Sequence, residues 1–157
     1  MAMTMKGEVD LPASQEQVWR ALNDPDVLKT CIPGCQTLEK TSPTEFQAVA
    51  KIKVGPVSAS FKGKVNLLDL DPPNAYRIRG EGEGGVAGFA KGGAVVQLAS
   101  AETGTKLTYD VEAQVGGKIA QLGSRLIDGV ARKMADQFFS NFAIAVSGGA
   151  DKGATAA

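Results

Sequence analysis

The stretch FQAVAKIKVGPVSASFKGKVNL, residues 46–67, sets the fold class. Phe46, Ala48, Ala50, Ile52 and Val54 fall on one face of a period-two pattern, with Gln47, Lys51 and Lys53 on the other. Gly55-Pro56 breaks the pattern. Val57, Ala59, Phe61, Gly63, Val65 and Leu67 then resume it against Ser58, Ser60, Lys62, Lys64 and Asn66. Two alternating runs joined by a two-residue turn predict an antiparallel hairpin with one buried face.

The pattern extends in both directions. Upstream, Met3, Met5, Gly7, Val9 and Leu11 alternate with Thr4, Lys6, Glu8 and Asp10, a half-buried first strand. Pro12-Ala13-Ser14 stops it. Ser14 and Gln17 form a capping box for a short helix through Val18, Trp19, Ala21 and Leu22. Asp24 as cap and Pro25 at the first helical position start a second short helix, which ends before Pro33-Gly34. Downstream, Tyr76, Ile78, Gly80 and Gly82 alternate with Arg77, Arg79, Glu81 and Glu83. A strand follows near 94–100, and Leu107, Tyr109, Val111, Ala113 and Val115 form another. Short connections between such runs indicate an antiparallel meander rather than βαβ units.

Gly116-Gly117 then opens a helix expected to reach Val146, roughly 28 residues and ~42 Å at 1.5 Å per residue. Lys118, Gln121, Arg125, Asp128, Arg132 and Asp136 mark its polar stripe. Ile119, Leu122, Leu126, Val130, Met134 and Phe138 mark the apolar one. Gly123 and Gly129 fall inside this helix, each at a cost of about 1 kcal/mol relative to alanine. Only this helix is large enough to cover the apolar face of the sheet. The expected class is α+β: a curved antiparallel sheet of about seven strands wrapped around a long C-terminal helix, with two short helices after the first strand. One domain spans 1–146, and 147–157 reads as a disordered tail.

Composition excludes several functions. The 157 residues carry 17 Lys+Arg and 17 Asp+Glu, with no basic run, which argues against nucleic-acid binding. The absence of histidine removes the commonest general base and metal ligand. Cys31 and Cys35 flank a Pro-Gly turn and read as reduced thiols, since two soft ligands fall short of a zinc site. No metal site and no catalytic residue is assigned. The N-terminus lacks the apolar core of a signal peptide, and no run approaches a membrane span, so a cytoplasmic protein is expected.

Two motifs fail on context. Gly80-Glu-Gly82-Glu-Gly-Gly85 matches G-x-G-x-x-G, but no helix former follows to hold a pyrophosphate, and Glu81 and Glu83 would repel phosphate. Glu81 and Glu83 share a strand face with Arg77 and Arg79, the pattern of a solvated charge ladder. The loop from Gly84 to Gly93, with Phe89 at its centre, reads as a mobile lid or rim.

The predicted inner face is unusually small in side chain. Ala48, Ala50, Ala59, Gly63, Gly80, Gly82, Ala94 and Ala113 stand there, with only Phe46, Phe61, Tyr76 and Tyr109 as aromatics. Interiors pack at crystal density, so such a face implies either a strongly bent sheet or a cavity for something apolar. Both readings stand, and the alanines favour the cavity.

The order of elements resembles the helix-grip fold of the START/Bet v 1-like superfamily. Residues 22–35 (LNDPDVLKTCIPGC), 54–63 (VGPVSASFKG), 84–92 (GGVAGFAKG) and 116–127 (GGKIAQLGSRLI) are similar to motifs of one branch, the CoxG family of carbon monoxide dehydrogenase subunits. That resemblance implies a non-catalytic accessory protein with no covalent cofactor, encoded near molybdenum hydroxylases of the carbon monoxide dehydrogenase type. It implies an apolar cavity holding a quinone or other lipid, and peripheral contact with the inner face of the membrane. Expected ligand contacts are Phe46, Ala48, Ala50, Phe61, Ala94, Tyr109 and Val111 on the sheet. Ile119, Leu122 and Leu126 are expected on the helix, with Ile32 and Phe89 at the entrance. The alternatives are a docking factor for the hydroxylase without a physiological ligand, and a cyclase or hydrolase of the same superfamily.

Overall fold

A computed structural model describes the backbone over residues 2–156 and the side chains over residues 2–147. The chain runs β1 (Ala2–Leu11), α1 (Gln15–Leu22), α2 (Pro25–Cys31), β2 (Cys35–Ser42), β3 (Glu45–Val54), β4 (Val57–Asp71), β5 (Ala75–Glu83), β6 (Phe89–Ala101), β7 (Gly104–Gly116) and α3 (Ser124–Ala156). The strands form one antiparallel sheet in the order β1-β7-β6-β5-β4-β3-β2. This is the α+β architecture that the sequence pattern predicts. Side chains beyond Ser147, most of the tail marked off at 147–157, lie outside the described residues.

Local chemistry sets the boundaries. The Ser14 side chain accepts from the Gln17 backbone, and the Gln17 side chain accepts from the Ser14 N–H, so two orphan donors of α1 are satisfied reciprocally. Asp24 accepts from the Asp26 N–H, with Pro25 in the first helical position. Gln15 ties α1 to the sheet, donating to the Pro73 carbonyl at 2.9 Å and accepting from Ser100 at 2.9 Å.

One strand is added to the sequence pattern and two expectations are corrected. Strand β2 has no counterpart in the sequence pattern, because Gln36, Thr37, Glu39 and Lys40 give it no apolar alternation; its register with β3 also slips at both ends. The C-terminal helix starts at Ser124, not Gly117. Residues Lys118–Leu122 form a 3-10 turn, and Gly123 takes φ +97°, outside any helix, so it ends that turn instead of weakening α3. The stretch from Gly84 to Gly93 is not a lid. A 3-10 turn over Gly85–Ala87 leads straight into β6, whose Phe89–Gly93 segment is paired on both sides.

The core lies between the sheet and α3 in two separate clusters. The first is closed by α1 and α2 and contains Leu11, Val18, Tyr76, Leu107, Phe142 and Val146. Phe138 stacks on Phe142 at 5.6 Å between ring centres, and Trp19 meets Tyr76 edge-on at 5.3 Å. The second, at the other end, contains Val54, Ala87, Val115, Ile119 and Ile127.

Candidate functional site between the two core clusters

The middle of the inner face belongs to neither cluster. Register aligns Ala48 with Gly63, Gly63 with Gly82, and Gly80 with Gly92, which pairs in turn with Ala113. Ala50, Ala94 and Val111 border these rows. All are partly exposed, whereas each end has fully buried residues at the centre of its cluster. On α3, Ala131, Met134 and Ala135 are likewise partly exposed, between Val130 of the second cluster and Phe138 of the first.

What surrounds each glycine separates bending from space. A Cβ on Gly92 would strike the Glu112 carbonyl and Ala113, so this glycine permits close strand approach. Gly7, Gly84 and Gly116 are seats for the rings of Tyr109, Phe61 and Phe89. Gly63, Gly80 and Gly82 differ. A Cβ on Gly63 would meet nothing nearer than the Glu81 carbonyl at 3.5 Å, and one on Gly82 nothing nearer than the Lys62 carbonyl at 3.6 Å. On Gly80 it would meet only Val65 at 3.4 Å and the Lys64 carbonyl at 3.5 Å. No atom of α3 comes within 4 Å of any of the three. Helix and sheet stand apart over this waist.

The expected ligand contacts divide accordingly. Ala48, Ala50, Ala94 and Val111 lie in the waist. Phe46 is packed in the first cluster, and Tyr109 at its border stacks on Phe139 at 5.1 Å. Phe61, Ile119 and Leu122 belong to the second cluster. Ile32 caps the end of α2, and Phe89 is exposed with its ring over Gly116. Leu126 is a correction: it sits on the first turn of α3, 37% exposed, beside Gly55, while Ile127 is buried at 7%. Starting the helix at Gly117 misphases that stripe, because Gly123 interrupts it. The expected contacts omit Gly63, Gly80, Gly82 and Met134, although each stands on an inner position of its period.

Among the described residues, the inner positions Ala48, Ala50, Gly63, Gly80, Gly82, Gly92, Ala94, Val111 and Ala113 that line the waist carry no titratable side chain. Tyr76 lies in the packed end, where burial pushes its hydroxyl pKa up. The two thiols are free, and burial raises both above the usual value. Cys31 is 1% exposed, and the Asn141 side chain donates to its carbonyl at 3.1 Å, tying α3 to α2. A groove of about 910 Å³ takes in the strand positions Gly80, Gly92, Ala94 and Ala113 together with the charged side chains of the outer face. Lys64, Arg77, Arg79, Glu81, Asp110 and Glu112 supply its charged lining.

The sequence model of CoxG, a carbon monoxide dehydrogenase subunit, matches residues 7–147. The chain belongs to the CoxG family. Among solved structures, the CoxG chain is similar to a conserved protein from Geobacillus kaustophilus, with 32% identity and a TM-score of 0.86 over 92% of this chain and 95% of that one. A START superfamily protein from Mycobacterium smegmatis shares the fold at 12% identity, with a TM-score of 0.71 over 92% and 97% of the two chains. The Zhui aromatase/cyclase from Streptomyces sp. R1128 does so at 12% identity, with a TM-score of 0.67 over 94% of each chain. No curated protein matches the sequence. No helix among the described residues of this CoxG protein is long and apolar enough to cross a membrane.

Proposed function

We propose that this CoxG protein is a non-catalytic accessory of a carbon monoxide dehydrogenase-type molybdenum hydroxylase that binds a lipophilic molecule, a quinone first among candidates, in the waist between α3 and the sheet. One observation carries the reading: Gly63, Gly80 and Gly82 face space that no atom of α3 fills within 4 Å. An apolar recess without acid or base suits holding a molecule better than converting it. The Tyr109 hydroxyl, at the border of the waist, is the group available to orient a quinone oxygen.

Coupling to the membrane is the second part of the proposal, and the end around the second cluster supports it. Val86 is 92% exposed on a glycine-flanked turn, with Phe89 and Leu126 partly exposed on the same end. Lys53, Lys118 and Arg125 are exposed there as well. Exposed apolar tips with cations nearby in the chain, beside the acids Glu83 and Asp128, suit a lipid surface.

Titration of a short-chain quinone, followed by Trp19 fluorescence and by calorimetry, tests the ligand. Wild type is expected to show saturable binding, and Ala50→Phe and Ala94→Leu to lose it while still folding, with an overpacking cost of ~1–3 kcal/mol. Extraction of purified protein followed by mass spectrometry should release a lipid. If neither quinones nor other lipids bind saturably, the ligand reading fails and the docking-factor role takes its place. Sedimentation with anionic vesicles tests the membrane part, and Val86→Asp should abolish it.

A further inference from the structure

We propose that β1 is a dimerisation edge, pairing antiparallel with β1 of a second copy of this chain about a two-fold axis through Gly7. The two sheet edges are unlike. β2 is broken by register shifts near Cys35/Thr37 and Lys40/Ser42, the kind of irregularity that blunts an edge. β1 runs ten residues in unbroken register with β7, contains no proline, and has β7 as its single neighbour in the sheet, with α3 packed against it. Among the described residues, no backbone hydrogen bond from another element reaches its free side between Ala2 and Asp10. An edge of this length and regularity is a template for another strand.

Charge selects both the partner and the register. Thr4, Lys6, Glu8 and Asp10 are exposed on the outer face, and Met3, Met5, Val9 and Leu11 point inward. A two-fold axis between residues would set inner positions against outer ones and violate the pleat. An axis through Lys6 sets Lys6 against itself; one through Glu8 brings Lys6 opposite Asp10 but sets Glu8 against itself at the closest pair; one through Val9 sets Glu8 against Asp10. An axis through Met5 leaves Lys6 opposite Thr4, without a counter-charge. The axis through Gly7 sets Lys6 against Glu8 of the second copy, twice by symmetry, and Met5 against Val9 on the inner face. Within each chain Lys6 already meets Asp110 at 3.8 Å, and Lys106 meets Glu8 at 3.9 Å. The joint therefore reads Asp110, Lys6, then Glu8 and Lys106 of the second copy, alternating in sign throughout. Gly7 at the centre places no side chain on the joint.

Sedimentation and light scattering over a concentration series test the proposal. Wild type is expected to dimerise, and β1 amides should gain hydrogen-exchange protection as concentration rises. Lys6→Glu alone and Glu8→Lys alone each replace two attractions by two repulsions, and should weaken association about tenfold or more. An equimolar mixture of the two variants sets acids of one chain against lysines of the other and should recover the dimer. A wild type that stays monomeric at the highest concentration overturns the proposal. So do single variants that dimerise like wild type, or a mixture that stays monomeric. Should a variant melt early by circular dichroism, the wild-type exchange measurement decides alone: β1 amides insensitive to concentration overturn the proposal.

Discussion

The closed end of the molecule and its waist use the same strands to opposite effect. Along β7, Leu107 is 1% exposed under α1 and α3, whereas Val111 and Ala113, a few residues on, are partly exposed under the same helix. Along β5, Tyr76 is buried at 4%, whereas Gly80 and Gly82 are partly exposed, with no atom of α3 within 4 Å of a Cβ at either. Large side chains at both ends hold α3 off the sheet, and small ones between them keep the gap. Stability and binding are therefore separable: filling the gap should cost little stability, and emptying the ends should cost much.

The sharpest test of that separation is at the second cluster. Ile127→Asp buries a carboxylate without a partner and should unfold the domain or cost several kcal/mol, whereas Leu126→Asp next to it should stay within about 1 kcal/mol. Equal denaturation midpoints would break the assignment of the α3 face. Phe142→Ala, at 0% exposure, should cost about 3–5 kcal/mol in urea unfolding, because the aromatic stack around it leaves a cavity. Ser14→Ala removes the capping box that seats α1 against the closed end, and should cost ~1 kcal/mol.

At the waist the order of effects reverses. Gly82→Ala should change stability by no more than about 1 kcal/mol, since a Cβ there meets only ordinary contacts and no atom of α3 within 4 Å, while Gly82→Leu should abolish quinone binding in the calorimeter. A large loss of stability would mean that helix and sheet touch there. The smallest effect concerns the thiols. Burial raises the folded pKa of Cys31 above the ordinary 9.0, so the folded state holds its proton longer than the unfolded one. The stability this contributes is complete below pH 9 and falls as pH rises beyond it. Cys31→Ala should flatten that decline in a pH series of thermal melts.

The period-two runs of β1, β3, β4, β5 and β7 and the caps of α1 and α2 are legible in the sequence, because each is a local signal: alternation, or a side chain reaching its own helix end. β2 is not, because an edge strand with little apolar alternation carries no periodic signal and is held by pairing with β3. Leu126 defeats the sequence pattern for a related reason. Helical phase counted through Gly123 puts it on the apolar face, and only the backbone angle of Gly123 shows that the count restarts at Ser124.

The glycine and alanine positions on the inner face, and hence a choice between bending and space, are set by the sequence alone. That choice itself is not. Gly92 and Gly82 look alike in a sequence, each an inner glycine of an alternating strand. Only the tertiary structure puts the Glu112 carbonyl against one and leaves the other in ordinary contact with Lys62 and Gly63, because how closely each neighbouring strand approaches depends on the local bend of the sheet, which alternation does not record.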